Sequence, residues 1–330
     1  MAILATQRVL TLDFWKLAND IVPGDYLFDR TGSPVKVTLV QKYMAQACYE
    51  VTMHDWLCVA GDKHMKMPIE TRPRRNKTMS YKGKLKFRSA FKYYNMEELS
   101  ELPIRDKRSR YSFSVPTTDP IQLPHQTLPV PPFVFGYWFF AKLYDQSMGP
   151  QVEYADFVHE KFKDHGYQVT IGRKRPRGRQ EFRTSPTVLS HLIPLVPQKI
   201  PNNYLWASVE QRLELLSGIM CAKKRQYNKK RDLFRFSFNN IHEVTQVQAL
   251  AESLGCRTKV QFDPTNKNYT VFIKTRLRLV PNQDSPPIKV HQSRRYVHKV
   301  TPIPAQMCVH IETTGEDNTI LVGEGFISVC

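Results

Sequence analysis

No run of apolar residues in this chain of 330 approaches the ~20 needed to span a bilayer as a helix, which argues against a transmembrane protein. The start, MAILATQRVLTLDFW, has no basic segment followed by a long apolar one, so a secretory signal is not expected. Cysteines stand at 48, 58, 221, 256, 308 and 330 with no C-x-x-C pair and no zinc spacing, which predicts free thiols in a reducing cytoplasm. There is no Walker loop, G-x-G-x-x-G, G-x-S-x-G or H-E-x-x-H, and the ten histidines show no metal spacing. Neither a metal site nor a cofactor is therefore expected. Acidic residues are in short supply, 30 against 48 Lys plus Arg.

The resulting net charge of +18 favours a polyanionic partner, most simply nucleic acid. With 41% apolar residues the chain can still bury a core. Residues 1–70 read as short strands (VLTLDFW, PGDYLFD, SPVKVTLVQKY, CYEVTM, WLCVAG) separated by Pro-Gly, Thr-Gly and Gly-Asp turns. Residues 71–131 read as a connector, basic at first and then punctuated by Pro116, Pro120, Pro124, Pro129, Pro131 and Pro132. Residues 281–330 return to strand character in IKVHQSRRYVHKVTPIP, QMCVHIETT and TILVGEGFISV. The expected fold is α+β, a split β-domain with a duplicated α/β domain inserted.

The insert, 132–280, contains an internal repeat. FVHEKFKDHGYQVTIGRKRPRGRQEFRT starts as a helix, stops near Gly166 and continues as a hairpin. VQALAESLGCRTKVQFDPTNKNYTVFIKT does the same, with Gly255 as the stop and Asp263-Pro264 in the turn. Each is preceded by an apolar segment, PPFVFGYWFFAKL and SVEQRLELLSGIM. Ser208 is the expected N-cap of the second, with Val209, Leu213, Leu216 and Met220 at helical spacing. Two repeats, about 132–192 and 204–280, imply a pseudo-two-fold shape suited to duplex DNA.

Several short motifs follow one another in order. Thr6, Val9-Leu10 and Gly24-Asp25-Tyr26-Leu27 open the chain. His54 in CYEVTMHDW and His64 in VAGDKHM follow, and VGEGFIS ends in Val329 and Cys330. Gly136 and Gly218 sit within the two apolar segments. This arrangement resembles an intein: a Hint protein-splicing domain interrupted by a LAGLIDADG homing endonuclease domain, over nearly the whole chain. The resemblance implies a splicing nucleophile at position 1, and Met1 offers neither thiol nor hydroxyl. It implies a Thr three residues before the activating His64, where Gly61 stands, and a terminal His-Asn, where Val329 and Cys330 stand. It makes Gly136 and Gly218 the packing glycines of paired helices, and it places metal-binding acids at Ala141 and Lys223. An initiator Met and a free C-terminus would also leave no bonds to splice.

The resemblance thus implies a catalytically degenerate, free-standing descendant, of a kind found in phage genomes, in host cytoplasm or virion. The first expectation is a duplex-DNA binder without cleavage. The rivals are a virion or packaging component contacting other phage proteins, an active Mg²⁺-dependent endonuclease, and residual splicing in a longer chain. The insert carries 24 basic and 12 acidic residues, two thirds of the net charge. Arg173, Lys174, Arg175, Arg177 and Arg179 form one cluster; Lys223, Lys224, Arg225, Lys229, Lys230 and Arg231 form the other. Both suit phosphate contact, while a solvated loop would look the same. Tyr227, Phe234, Phe236 and Phe238 interleave with the second, and their spacing of two reads more simply as the core face of a strand.

Overall fold

A computed structural model describes residues 2–71, 91–142, 154–175, 179–184, 199–222, 225–228, 233–275, 277–281 and 294–330. The chain divides into two compact units, Met1–Gln122 with Pro287–Cys330 and Leu123–Pro286, here the split unit and the inserted unit. Among the described residues no helix is long and apolar enough to cross a membrane. All six cysteines are unbridged.

The split unit begins with β1 (Ala2–Leu4), β2 (Arg8–Thr11), β3 (Phe14–Leu17), β4 (Tyr26–Phe28), β5 (Pro34–Ala45), β6 (Cys48–Met53), β7 (Cys58–Asp62) and β8 (Lys66–Thr71). Their alternation buries Val35 and Val37 on one strand and Val51 and Met53 on another, as expected of half-buried strands. The turn signals read from the sequence close these strands: Gly24 adopts φ +100 and Gly32 φ +78.

The expected connector departs from its reading after residue 91. It carries β9 (Lys92–Asn95), α1 (Met96–Glu101) and β10 (Phe113–Pro116). Asn95 and Glu98 form a capping box: the Asn95 side chain accepts from Glu98 N at 2.8 Å, and Glu98 accepts from Asn95 N at 3.2 Å. Met96 and Leu99 are buried, and β10 lies between β8 and a later strand with Phe113 and Val115 in the core. The prolines that suggested a connector fall largely outside these elements, and Pro116 ends β10. The basic run at 72–90 lies outside the described residues.

In the inserted unit, α2 (Pro132–Lys142) starts with proline at its first position, where the missing N–H costs nothing. Residues 133–140 are buried almost all round, so this helix is central. It is followed by α3 (Ala155–Asp164) and the ribbon β11 (Val169–Arg175) with β12 (Arg179–Thr184). Next come α4 (Asn202–Leu205), α5 (Val209–Ala222), β13 (Arg225–Asn228), β14 (Leu233–Phe238), α6 (Ile241–Ser253), β15 (Arg257–Asp263) and β16 (Asn268–Lys274). The last four strands form one antiparallel sheet ordered β13-β14-β16-β15. Among the described residues, the second repeat has a hairpin on both sides of α6.

Both predicted helix stops occur. After α3, Gly166 adopts φ +79 and donates to the Lys163 carbonyl at 2.9 Å; after α6, Gly255 adopts φ +75 and donates to the Glu252 carbonyl at 2.9 Å. Ser208 caps α5, accepting from Gln211 N at 3.4 Å, while Gln211 Oε1 accepts from Ser208 N at 3.3 Å. Leu216 and Met220 are buried and Val209 and Leu213 half-buried, matching the helical spacing.

The chain returns to the split unit with β17 (Arg294–Ile303), β18 (Gln306–Thr313), β19 (Ile320–Val322) and β20 (Ile327–Val329). β18 pairs with β1 and β5, and β17 with β6 and β10, so the terminal portions of the sequence share one sheet.

Candidate functional site

Gly136 and Gly218 both lie at the contact between α2 and α5. A Cβ on Gly136 would sit 2.5 Å from the Leu215 carbonyl oxygen, and one on Gly218 would collide with the Phe133 carbonyl and lie 2.8 Å from Tyr137 N. Each glycine thus admits the backbone of the other helix, and α2 and α5 cross in van der Waals contact of main chain. Aromatic packing brackets the crossing: Phe135 stacks on Tyr204 at 4.2 Å, and Tyr137 meets Phe162 edge-on at 5.6 Å.

Among the described residues, the last turns of the two helices carry no carboxylate. α2 ends in Ala141-Lys142 and α5 in Cys221-Ala222. Lys223 follows and lies outside the described residues, as does Lys224. No group of three or more His, Cys, Asp or Glu side chains is placed to hold a metal ion among the described residues.

Of the first basic cluster, Arg173 is exposed on β11. The backbone brings Arg175 opposite Arg179 and Lys174 opposite Gln180, so four of its five residues share one ribbon; Arg177 lies outside the described residues. Of the second cluster, Arg225 occupies β13 in register with Phe236. Lys229, Lys230 and Arg231 lie outside the described residues.

Phe234, Phe236 and Phe238 are buried, so their spacing reflects the core and not a ligand surface. Their register neighbours on β16 and β15 include Val271, Ile273, Thr258 and Val260, and α6 packs against these strands. The opposite face follows from the same pleat. Arg235, Phe272 and Lys259 form one cross-strand row, and Ser237, Thr270 and Gln261 the next. Arg235, Ser237, Lys259 and Gln261 are exposed, and the Arg235 guanidinium lies over the Phe272 ring at 5.8 Å. Leu233, Lys274 and Arg257 make a third row. Sequence reading missed this basic face by looking for charge runs. The signal was the alternation in FRFSF and RTKVQF, whose charged members sit opposite the core residues.

The inserted unit also buries Arg212 of α5. Its Nε donates to the Ala207 carbonyl at 2.8 Å, and its Nη1 donates to Ser253 O at 2.9 Å and Ser253 Oγ at 2.6 Å. Burial pushes its pKa down to about 10. It ties α5 to the C-terminal carbonyls of α6.

In the split unit a cavity of about 490 Å³ is lined by Ala2, Tyr43, Asp62, His64, Lys66, Asn95, His310, Asn318 and Cys330. It gathers His64 and Cys330, which the sequence reading singled out separately. Val329 is buried in β20, and Met1 lies outside the described residues. Lys66 and Cys330 exchange backbone hydrogen bonds at 2.6 and 2.7 Å, which fixes the end of β20 at the cavity. Asp62 accepts from Tyr43 Oη at 2.8 Å and from Met65 N at 2.8 Å. Burial pushes the Cys330 thiol up. Gly61 precedes Asp62 because a Cβ there would strike the Ala2 carbonyl and lie 2.6 Å from Met65 Sδ. Asp62, Tyr43 and His310 were not anticipated. His54 lies elsewhere, accepting from Tyr296 N at 3.3 Å.

No family model matches this chain. Over 214 residues it is 26% identical to the replicative DNA helicase DnaB of Mycobacterium intracellulare, covering 62% of this chain and 34% of that protein. The chain thus spans about a third of the length of the curated relative it matches. Among solved structures it is similar to the MchDnaB-1 intein (24% identity, 20% of this chain, 52% of that chain, TM-score 0.20). It is similar to the gp41-1 intein (16% identity, 34% and 74% covered, TM-score 0.23). It is also similar to the homing endonuclease I-DmoI, in a structure with DNA and Mn (12% identity, 43% and 89% covered, TM-score 0.30). The chain itself is a mixed α+β protein, mostly sheet, with six α-helices among the described residues.

Proposed function

We propose that the inserted unit is a duplex-DNA-binding module derived from a LAGLIDADG-type helix pair that no longer cleaves. The observation that carries this reading is the crossing of α2 and α5 at Gly136 and Gly218, in a unit whose sheet leaves Arg235 and Lys259 exposed on the face opposite its aromatic core. Phosphates would contact that face and the β11–β12 ribbon with Arg173, Lys174, Arg175 and Arg179. Such contacts supply affinity without reading sequence.

Mg²⁺ does not fit the positions at which the resemblance puts it. Alanine at 141 has no donor atom, and the ammonium of Lys223 repels a cation. In the split unit, the thioether of Met1 cannot attack a carbonyl, and Val329-Cys330 supplies no side-chain amide to cyclise. That unit then serves as a folded frame for the insert, and a phage-encoded protein is the setting that fits both losses.

The test is duplex binding across a salt series with Mg²⁺ present and strand cleavage scored in the same tubes. We expect log K to fall linearly with log salt and no nicking. The double variant Arg235→Ala/Lys259→Ala should shallow the slope by about 0.9 for each phosphate it leaves without a neutralising cation. Mg²⁺-dependent nicking would overturn the degenerate reading. Absence of binding at low salt would overturn DNA binding and turn attention to an acidic protein assembly, such as a packaging partner.

A further inference from the structure

The turn between β6 and β7 holds a large aromatic in an unusual place. Trp56 adopts φ 68 and is 76% exposed. A bulky residue in the left-handed region costs on the order of 1 kcal/mol. The turn is nonetheless firmly built. Trp56 N donates to Met53 O at 3.0 Å, and Met53 N to Leu57 O at 2.8 Å. His54 N donates to Tyr296 O at 2.9 Å, and the buried Asp55 carboxylate pairs with the buried Arg295 guanidinium.

The indole does not stand alone. It meets the His298 ring edge-on at 5.5 Å, and His298 Nδ1 lies 3.3 Å from Tyr111 Oη. Tyr111 stacks on Tyr296 at 5.4 Å, and His54 meets Tyr296 edge-on at 5.6 Å. The Arg105 guanidinium lies over Tyr111 at 4.3 Å. The β6–β7 turn, β17 and the loop at 104–112 thus compose one platform of rings with Trp56 at its most exposed edge.

The loop that supplies Tyr111 is basic and preorganised. Arg105, Lys107, Arg108 and Arg110 are all exposed. The one acid among them, Asp106, accepts from Arg108 N, Arg110 N and Arg110 Nε at 2.9–3.0 Å, which holds its pKa down to about 2. Ser112 N donates to Ile104 O at 2.9 Å and closes the loop. An exposed indole on half-buried rings beside a basic loop suits a ligand that offers flat π-faces and phosphates together. A duplex hides its base faces in the stack; a single strand presents them.

We infer that the split unit carries a binding site for single-stranded nucleic acid, in which a base stacks on Trp56 and the adjoining phosphates meet Arg105, Lys107, Arg108 and Arg110. This site lies in a different unit from the duplex surface proposed above and does not rest on that reading.

The experiment measures binding of labelled oligo(dT) and oligo(U) to the full chain at low salt, by anisotropy and by quenching of tryptophan fluorescence. Wild type is compared with Trp56→Phe, Trp56→Ala and Trp56→Gly. Glycine suits φ 68, so it removes the ring without straining the turn and guards against a fold artefact. We expect Trp56→Ala and Trp56→Gly each to weaken binding about tenfold and to abolish the quenching, with Trp56→Phe retaining most affinity. Preference for one oligonucleotide identifies DNA or RNA as the source. Duplex affinity should be unchanged in these variants, while Arg235→Ala/Lys259→Ala should weaken duplex and spare oligo(dT). No oligonucleotide binding, or binding that both Trp56→Ala and Trp56→Gly leave intact, would overturn the inference.

Discussion

The two units hold themselves together in different ways. The split unit buries β-branched and other aliphatic side chains from successive strands, among them Val9, Val37, Val51, Val59, Ile69, Val297, Val309 and Ile311. The inserted unit buries rings, among them Phe133, Phe135, Phe140, Phe234, Phe236 and Phe238, around a helix crossing that admits no Cβ. A strand ladder distributes its stabilisation over many similar pairs. A close helix crossing concentrates it at a few atoms whose positions have no slack. What the two units share is also instructive. Gly61, Gly136 and Gly218 stand where backbones approach, while Met1, Ala141 and Lys223 stand where the resemblance calls for nucleophile or acids. On the reading proposed above, the packing glycines of such a fold are kept while its nucleophile and acids are not.

The largest expected effect falls in the inserted unit, at Arg212. Arg212→Ala leaves a void and strips partners from the Ala207 and Ser253 carbonyls, and should cost about 4 kcal/mol in urea denaturation. Next is Gly218→Val, at about 3 kcal/mol from forced separation of α2 and α5. Its control is Gly166→Ala, where φ is +79 but no atom lies within contact of an added Cβ; backbone strain alone should cost about 1 kcal/mol. Equal losses at the two glycines would break the account of the crossing.

In the split unit the expected losses are smaller. Asp317 accepts from Thr319 Oγ1 at 2.7 Å and Tyr93 Oη at 3.1 Å, and pairs with Arg30. Burial works to raise this carboxyl, but the hydrogen bonds from Thr319 and Arg30 and the Arg30 charge outweigh it, and its pKa lies below the ordinary 3.8. A carboxyl depressed by folding stabilises fully above its unfolded value and loses that contribution as pH falls through the folded one. Asp317→Asn should therefore cost about 1.5 kcal/mol at neutral pH. Its gap from wild type should close as pH falls below 3.8, read from denaturation curves at several pH values. The smallest effect in the split unit is Asn95→Ala, which removes one half of the α1 capping box and should cost about 1 kcal/mol. A loss at Asn95 as large as that at Arg212 would erase the contrast between distributed and concentrated stability.

Much of the inserted unit was legible in the sequence. Gly166 and Gly255 terminate helices because glycine enters the left-handed region without Cβ strain, and that is a local property. Ser208 and the apolar spacing of α5 are likewise local. The region after residue 91 was harder. Its prolines and charges suggested a connector. The burial of Met96, Leu99, Phe113 and Val115 depends on β8 and β17, which come from distant parts of the chain.

The candidate sites divide along the same line. The resemblance singled out Gly136 and Gly218, and it was through the resemblance that the lack of acids at 141 and 223 became readable. The exposed sheet face of Arg235 and Lys259 was not, because it needs the register of three strands. Nor was the platform around Trp56, which draws on residues 54–56, 105–111 and 296–298. By itself the sequence determined the charge, the helix stops, the caps and the chemistry that cannot occur at particular positions. Those follow from single side chains and their immediate neighbours. Which rings and cations come to share one surface was decided only by the tertiary structure, because strand pairing joins residues whose separation along the chain carries no local signal.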